Sequence, residues 1–177
     1  MHQACGCKQD AASVTGLVQA GRPVMVEVYL LRPGPGGGLA YRRAHGHLGV
    51  GETPDEAALR IGQVVPGAPV RPAAVHSTSW RHLADGTVVL TYAVAPDPDP
   101  LAAAHPVTTT DLVHGPAADR PSPLRVDYEQ VAVHAARHLA LVIDTSPLVR
   151  LALSADPELC QALDALPRTV AGQLSLA

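Results

Sequence analysis

Polar and aromatic side chains that could bind a ligand crowd the segment His76–His82. Trp80 is suited to stacking on a flat group, and Arg81 or His82 to binding a phosphate. Strand alternation places these residues on two faces: His76, Thr78, Trp80 and His82 on one, Ser77, Ser79 and Arg81 on the other. So polar a strand either lines a pocket, with Tyr92 as a further stacking residue, or forms a hydrated sheet edge. Both interpretations stay open from the sequence.

A histidine pair marks a second place where chemistry could occur. His134 and His138 lie four residues apart on a predicted helix, a spacing that can bring two imidazoles to one metal ion. The spacing of other residues signals no third ligand. We therefore predict a solvated or hydrogen-bonded helix face, with metal binding as the weaker alternative.

A third pattern runs from Gly46 to Ala68. Its fixed points are Gly46, Glu52, Arg60 and Gly67, at a characteristic spacing. The pattern resembles the signature of the Nudix hydrolases. That resemblance implies an α/β/α sandwich with a mixed sheet, and an enzyme that cleaves a pyrophosphate linked to a nucleoside with the help of Mg²⁺ or Mn²⁺. It also implies an ion pair between Glu52 and Arg60 that braces the loop.

The match fails at the metal ligands. Ile61, Val64 and Val65 occupy the places of the glutamates that bind the metal in that family. Mg²⁺ requires oxygen ligands, and these side chains have none. We therefore expect no cofactor and no hydrolysis of the usual kind. The alternative is a Mg²⁺ or Mn²⁺ site rebuilt from other carboxylates, for which the candidates are Glu27, Glu52, Asp55, Glu56 and Asp127.

The same segment contains clear helix signals. Thr53 is a predicted N-cap, Pro54 follows it, and Glu56 completes a capping box. Pro66-Gly67 is the predicted stop signal. Within these limits Ala57, Ile61, Val64 and Val65 form one apolar stripe, which we expect to pack against protein or line a dry cleft. Gly62 would let the helix approach the sheet closely.

Strands and helices surround this segment in a definite order. Residues 24–31 and 39–43 form a predicted hairpin, and residues 70–80 and 87–94 form a second one around Asp85-Gly86. A proline-rich connection covers residues 95–125, and residues 126–177 form an additional helical part. We expect residues 1–20 to be a flexible lead and 21–177 a single domain. The last helices would either pack on the domain's own core or form a homodimer surface.

Composition narrows the possible partners. The chain has 177 residues, of which 47% are hydrophobic, and a net charge of −3. These values fit a globular core and give no basic surplus for nucleic acid. No segment reaches membrane-spanning length and no secretory signal is visible, so we expect a cytoplasmic protein. The sequence predicts a Nudix-like module for a nucleotide-like ligand, for regulation or for interaction; the alternative is a hydrolase with non-standard carboxylates.

Overall fold

The computed structural model describes residues 23–64, 73–113, 115, 123 and 125–168. The predicted flexible lead, residues 1–20, lies outside the described residues. The strands are β1 (Val24–Pro33), β2 (Leu39–His47), β3 (Ala74–His82), β4 (Val88–Ala95) and β5 (His105–Pro106). The α-helices are α1 (Pro54–Ile61), α2 (Tyr128–Thr145), α3 (Pro147–Leu153) and α4 (Pro157–Asp164).

The strands form one mixed sheet in the order β3-β4-β1-β2-β5. β1 pairs with β4 in parallel, and the other pairs are antiparallel. Tight turns explain the two hairpins. Gly36 and Gly37 have φ values of 68° and 81° between β1 and β2, and Gly86 has 85° between β3 and β4. Such values favour glycine because it lacks a Cβ.

Helices cover both faces of the sheet. On one face, which we call the α1 face, Val26, Val28 and Val94 pack with Ala57 and Ala58 of α1. The opposite face, the α2 face, carries a larger core formed with α2, α3 and α4. That core includes Tyr29, Leu31, Ala93, Leu139, Leu153, Leu159 and Leu163. The protein is therefore an α/β sandwich of three layers, as the sequence predicted.

The C-terminal helices each begin at a side-chain cap. Asp127, Ser146 and Asp156 accept hydrogen bonds from the backbone amides of Glu129, Val149 and Leu159. The helices bury leucines in the domain's own core, which was one of the two expected outcomes. Leu148 and Leu151 of α3 remain 79% and 66% exposed. Within the described residues, no helix combines the length and the apolar character needed to cross a membrane.

An ion-pair cluster fixes the start of the proline-rich connection. Asp97 is 1% exposed and accepts hydrogen bonds from Arg42 Nε at 3.0 Å and Nη2 at 2.8 Å. Arg32 Nη1 donates to the carbonyl of Pro100 at 2.8 Å. Further along the connection, the short strand β5 pairs with the edge of β2, with Pro106 opposite Ala40. The connection is thus held against the sheet by charge as well as by its prolines.

Candidate functional site

A bidentate ion pair braces the loop between β2 and α1. Arg60 Nε and Nη2 donate to the two carboxylate oxygens of Glu52, each at 2.7 Å. Glu52 Oε2 also accepts from the amide of Gly49 at 2.8 Å, and Arg60 Nη2 donates to the carbonyl of His47 at 3.1 Å. Arg60 and the Gly49 amide lower the pKa of Glu52 to about 2. The expected Glu52–Arg60 pair is present.

The start of α1 also follows the sequence prediction. Thr53 Oγ1 accepts from the amide of Glu56 at 3.3 Å, and Glu56 Oε2 accepts from the amide of Thr53 at 2.8 Å. This is a complete capping box. Both glutamates at the helix start are therefore bound to their own loop.

The end of α1 differs from the prediction. The helix ends at Ile61, before the stop signal at Pro66-Gly67. Gln63 adopts the left-handed conformation with φ of 57°, and the amide of Val64 donates to the carbonyl of Leu59 at 2.9 Å. Together with the bond from the Gln63 amide to the Arg60 carbonyl at 3.2 Å, this forms a Schellman motif.

Gly62, the last residue before this turn, packs closely against the sheet. A Cβ at position 62 would lie 2.9 Å from the carbonyl oxygen of Ala58, and 3.4 and 3.5 Å from methyl groups of Val28 and Val94. The close approach expected from Gly62 is therefore present. The predicted helix is wrong at Val64, which lies after the turn, while Val65 and Gly67 lie outside the described residues.

Apolar contacts occupy the positions at which the resemblance implied metal ligands. Ile61 and Val64 are partly buried against the core of the α1 face. Ile61 Cδ1 lies only 3.2 Å from where a Cβ at Gly46 would be, so this glycine gives room for the isoleucine.

These residues do not fit Mg²⁺ or Mn²⁺. Ile61 and Val64 supply no oxygen, and Glu52 and Glu56 already accept the hydrogen bonds described above. Asp55 accepts from the hydroxyl of Tyr92 at 2.7 Å. Across the described ranges, no group of three or more histidines, cysteines or acidic residues is placed to hold a metal ion.

The remaining carboxylates of the rebuilt-site hypothesis lie elsewhere. Val26 and Val28 of β1 lie on the α1 face, so Glu27 between them lies on the α2 face. Glu52, Asp55 and Glu56 lie at the start of α1. Asp127 caps α2 and accepts from the amide of Glu129 at 2.9 Å. The structure does not bring these five residues together.

A β-bulge changes the predicted alternation of β3. Its register against β4 shifts between Ser77 and Ser79. His76 pairs with Ala93 and faces α2, whereas Ser77 pairs with Tyr92 and shares the α1 face with Trp80 and His82. The prediction that His76, Trp80 and His82 share a face is therefore wrong. β3 lies at the sheet edge, in agreement with one of the two expected interpretations.

The predicted ligand pocket is divided between the two faces. Trp80 is 66% exposed, and its ring lies 5.4 Å from that of His82, centroid to centroid. Arg81 lies on the α2 face and pairs with Glu27. Tyr92 is buried beside α1. The four residues do not form one pocket.

Tyr92 instead contributes to a cleft between α1 and the β3 edge. The cleft has a volume of about 340 Å³ and is lined by Asp55, Leu59, Val75, His76, Ser77 and Tyr92. Burial, together with the hydrogen bond to Asp55, raises the pKa of Tyr92 to about 12. The phenol is therefore neutral at physiological pH and donates to the Asp55 carboxylate.

The two histidines of α2 have a partner on β3 that the sequence did not indicate. His76 Nε2 lies 2.9 Å from His138 Nδ1, and the two rings are stacked at 4.9 Å between centroids. The His134 ring is 6.1 Å from that of His138. Burial lowers the pKa of His76, helped by the neighbouring His138, and burial also lowers the pKa of His138. The neutral pair can share one hydrogen bond, as predicted for a hydrogen-bonded face.

A buried carboxylate with two arginines is the main feature that the sequence did not reveal. Glu27 is 0% exposed. Arg81 Nη1 and Nη2 donate to its two oxygens, the latter at 2.8 Å, and Arg43 Nε and Nη2 donate to Oε2 at 3.2 and 3.1 Å. Thr91 Oγ1 adds a bond at 2.8 Å. Burial raises the pKa of Glu27, but Arg81, Thr91 and Arg43 outweigh it, so the pKa lies below its usual value.

No protein-family model matches the chain, and no curated protein matches it significantly.

Proposed function

We propose that this chain is a Nudix-like domain that has lost metal-dependent pyrophosphate hydrolysis and acts as a binding module for a nucleotide-like small molecule. The proposal rests on the structure of the described part of the Gly46–Ala68 segment. Its structural brace, Glu52 with Arg60, is intact. Its catalytic positions are apolar, and Ile61 packs on the sheet.

The chain's architecture supports a Nudix-like scaffold. A hairpin, a braced loop, a capped helix and a second hairpin follow one another, and a long helix covers the opposite face. The sheet is mixed, with β1 and β4 parallel at its centre. We therefore propose a Nudix-like fold without the hydrolysis reaction of that family.

The chemistry of the carboxylates supports the loss of hydrolysis. A metal ion bound at these carboxylates would compete with Arg60 at Glu52, with the Thr53 amide at Glu56 and with the Tyr92 hydroxyl at Asp55. Each of these hydrogen bonds is charge-assisted and holds the local structure. Metal binding at this loop would thus oppose the packing that forms it.

Two features support ligand binding. The cleft beside Tyr92 has a mixed lining of aliphatic, hydroxyl and carboxylate groups, which suits a small molecule with polar substituents. Trp80 presents an exposed indole on the same face of the sheet, where a flat group could stack. A surface-exposed tryptophan contributes little to folding, so it is available for recognition.

The test is ligand-induced stabilisation in the absence of metal. Nucleoside mono- and diphosphates are added to the protein in EDTA, and the unfolding midpoint is measured. We expect at least one compound to raise the midpoint, with the same shift when Mg²⁺ replaces EDTA, because a ligand that binds only the folded state stabilises it.

Matched variants locate the binding surface. Trp80→Ala should reduce the shift, whereas Leu148→Ala, which alters an exposed apolar residue on α3, should leave it unchanged. A shift that appears only with Mg²⁺ would contradict the proposal. So would a panel in which no compound stabilises the wild-type protein.

A further inference from the structure

The Glu27 cluster on the α2 face holds more positive than negative charge. One carboxylate, Glu27, faces two guanidinium groups, those of Arg43 and Arg81. Within the described residues, no other carboxylate forms an ion pair with either arginine. The cluster therefore carries a net charge of +1, and its arginine side chains are only 19% and 16% exposed. A poorly hydrated positive charge attracts an anion.

Glu27 itself cannot take a further partner. Its two oxygens accept from Arg81, Arg43 and Thr91, which fills the usual acceptor sites of a carboxylate. Arg43 uses Nε and Nη2 for Glu27, which leaves Nη1 as a donor that is not bound to the carboxylate. The cluster thus has more donors than its carboxylate can accept.

A buried tyrosine hydroxyl independently indicates a missing acceptor. Tyr29 is 0% exposed, and among the described residues its hydroxyl is the buried side-chain oxygen that lacks a hydrogen-bond partner. Tyr29 pairs with Arg43 across β1 and β2 and lies two residues after Glu27 on the same face of β1, so its ring lies beside the cluster. Burial and the Glu27 charge raise the pKa of Tyr29, so the hydroxyl keeps its proton and remains a donor. An unsatisfied buried donor is costly unless a ligand completes it.

One edge of the cluster lies at the start of α2. The guanidinium carbon of Arg43 lies 4.0 Å from the ring centroid of Tyr128, and Tyr128 is 51% exposed. His45 pairs with Glu27 across β1 and β2 and is exposed. The Arg43 side chain is 19% exposed, so part of it contacts solvent at this edge.

We propose that Arg43, Arg81 and Tyr29 form a binding site for the phosphate group of a small phosphorylated molecule. Arginine forks match the geometry of phosphate oxygens, and a tyrosine hydroxyl supplies a neutral donor. The site is separate from the proposed nucleotide-binding surface and goes beyond that function, because it lies on the opposite face of the sheet from the Tyr92 cleft.

The test is a titration of the full chain with inorganic phosphate at constant ionic strength, followed by two-dimensional NMR or by calorimetry. We expect saturable binding by the wild-type protein. Arg43→Gln removes the surplus charge but leaves the bidentate Arg81–Glu27 pair, so the protein should fold. Its affinity should fall about ten- to hundredfold, the effect of losing a charge-assisted hydrogen bond. Arg150→Gln on α3 makes the same change in net charge and should bind like the wild type.

Tyr29→Phe separates a ligand site from a structural cluster. We expect this variant to be at least as stable as the wild type without phosphate, because it removes an unsatisfied donor. Its phosphate affinity should fall about two- to tenfold. No saturable binding by the wild type, or equal affinity in Arg43→Gln, would overturn the proposal. Because the titration contains neither nucleotide nor metal, its failure is distinct from a failure of the nucleotide panel.

Discussion

Glu27→Gln is the substitution whose effect on stability the structure predicts most sharply. The carboxylate neutralises part of the charge of Arg43 and Arg81 inside the α2 face, and its two oxygens accept from both guanidinium groups and from Thr91. Glutamine has nearly the same size as glutamate but no charge. The NH₂ group of its amide is a donor, so it cannot accept hydrogen bonds from the arginines. Two guanidinium groups then remain in the cluster without a carboxylate.

The expected cost follows from breaking a buried ion pair on one side only. Such a change costs about 3–5 kcal/mol, because the remaining charge stays desolvated. For a protein of this size the unfolding midpoint should fall by about 6–20 °C. The pKa of Glu27 lies below its usual value of 4.5 in the folded state. The difference between wild type and variant is therefore fully present above about pH 4.5 and shrinks as the pH falls toward the folded pKa.

Urea denaturation at pH 7 measures this difference, with Arg43→Gln as the matched control. The control leaves Glu27 paired with Arg81 but removes the charge-assisted hydrogen bonds from Arg43, so it should lose only about 1.5–3 kcal/mol. A loss in Glu27→Gln that is no larger than that in Arg43→Gln would refute the reasoning. It would mean that the arginines reach solvent when the carboxylate charge is removed.

Three further results are expected. Gln63→Gly should stabilise the protein by up to about 1 kcal/mol in urea denaturation, because the backbone at position 63 is in the left-handed conformation, which glycine adopts without strain. A loss of stability would contradict the described turn. Glu52→Gln should lower the thermal unfolding midpoint, because it breaks the ion pair with Arg60. This difference from the wild type should disappear as the pH falls from 4.5 toward 2, where Glu52 becomes protonated. An unaltered midpoint at pH 7 would count against a stabilising Glu52–Arg60 pair. The pKa values of His76 and His138 lie below 6.5 in the folded state, so the unfolded chain binds more protons and stability should fall between about pH 7 and pH 5. His138→Gln should flatten that pH dependence, and an equally steep profile in the variant would exclude the pair as its source.

Features with local signals could be predicted from the sequence. The capping box at Thr53 and Glu56, the two hairpins and the α/β layering all depend on residues close together in the chain. The Glu52–Arg60 pair was expected from the resemblance, and its partners are separated by only 8 residues.

Features that depend on tertiary contacts could not be predicted. α1 ends where Gln63 turns left-handed, next to Gly62, which packs against Val28 and Val94; helical periodicity carries no information about either feature. The bulge in β3 depends on its register with β4, and it moved His76 away from the face predicted for it.

The charge clusters were missed for the same reason. Arg81 and Glu27 are 54 residues apart, and Arg42 and Asp97 are 55 apart. In the sequence Arg81 looked like a pocket residue and Glu27 like a spare carboxylate. Their pairing across the sheet changes the interpretation of both.

A hydrolysis assay tests the central claim most directly. Nucleoside diphosphate-linked compounds are incubated with the full chain and either Mg²⁺ or Mn²⁺, and release of nucleoside monophosphate is compared with that of heat-denatured protein. Because Ile61 and Val64 pack on the sheet at positions where metal ligands would be needed, we predict release equal to the denatured control with both metals. Metal-dependent turnover that is lost in Glu52→Gln would contradict the account, since it would show that this loop still binds a catalytic metal ion.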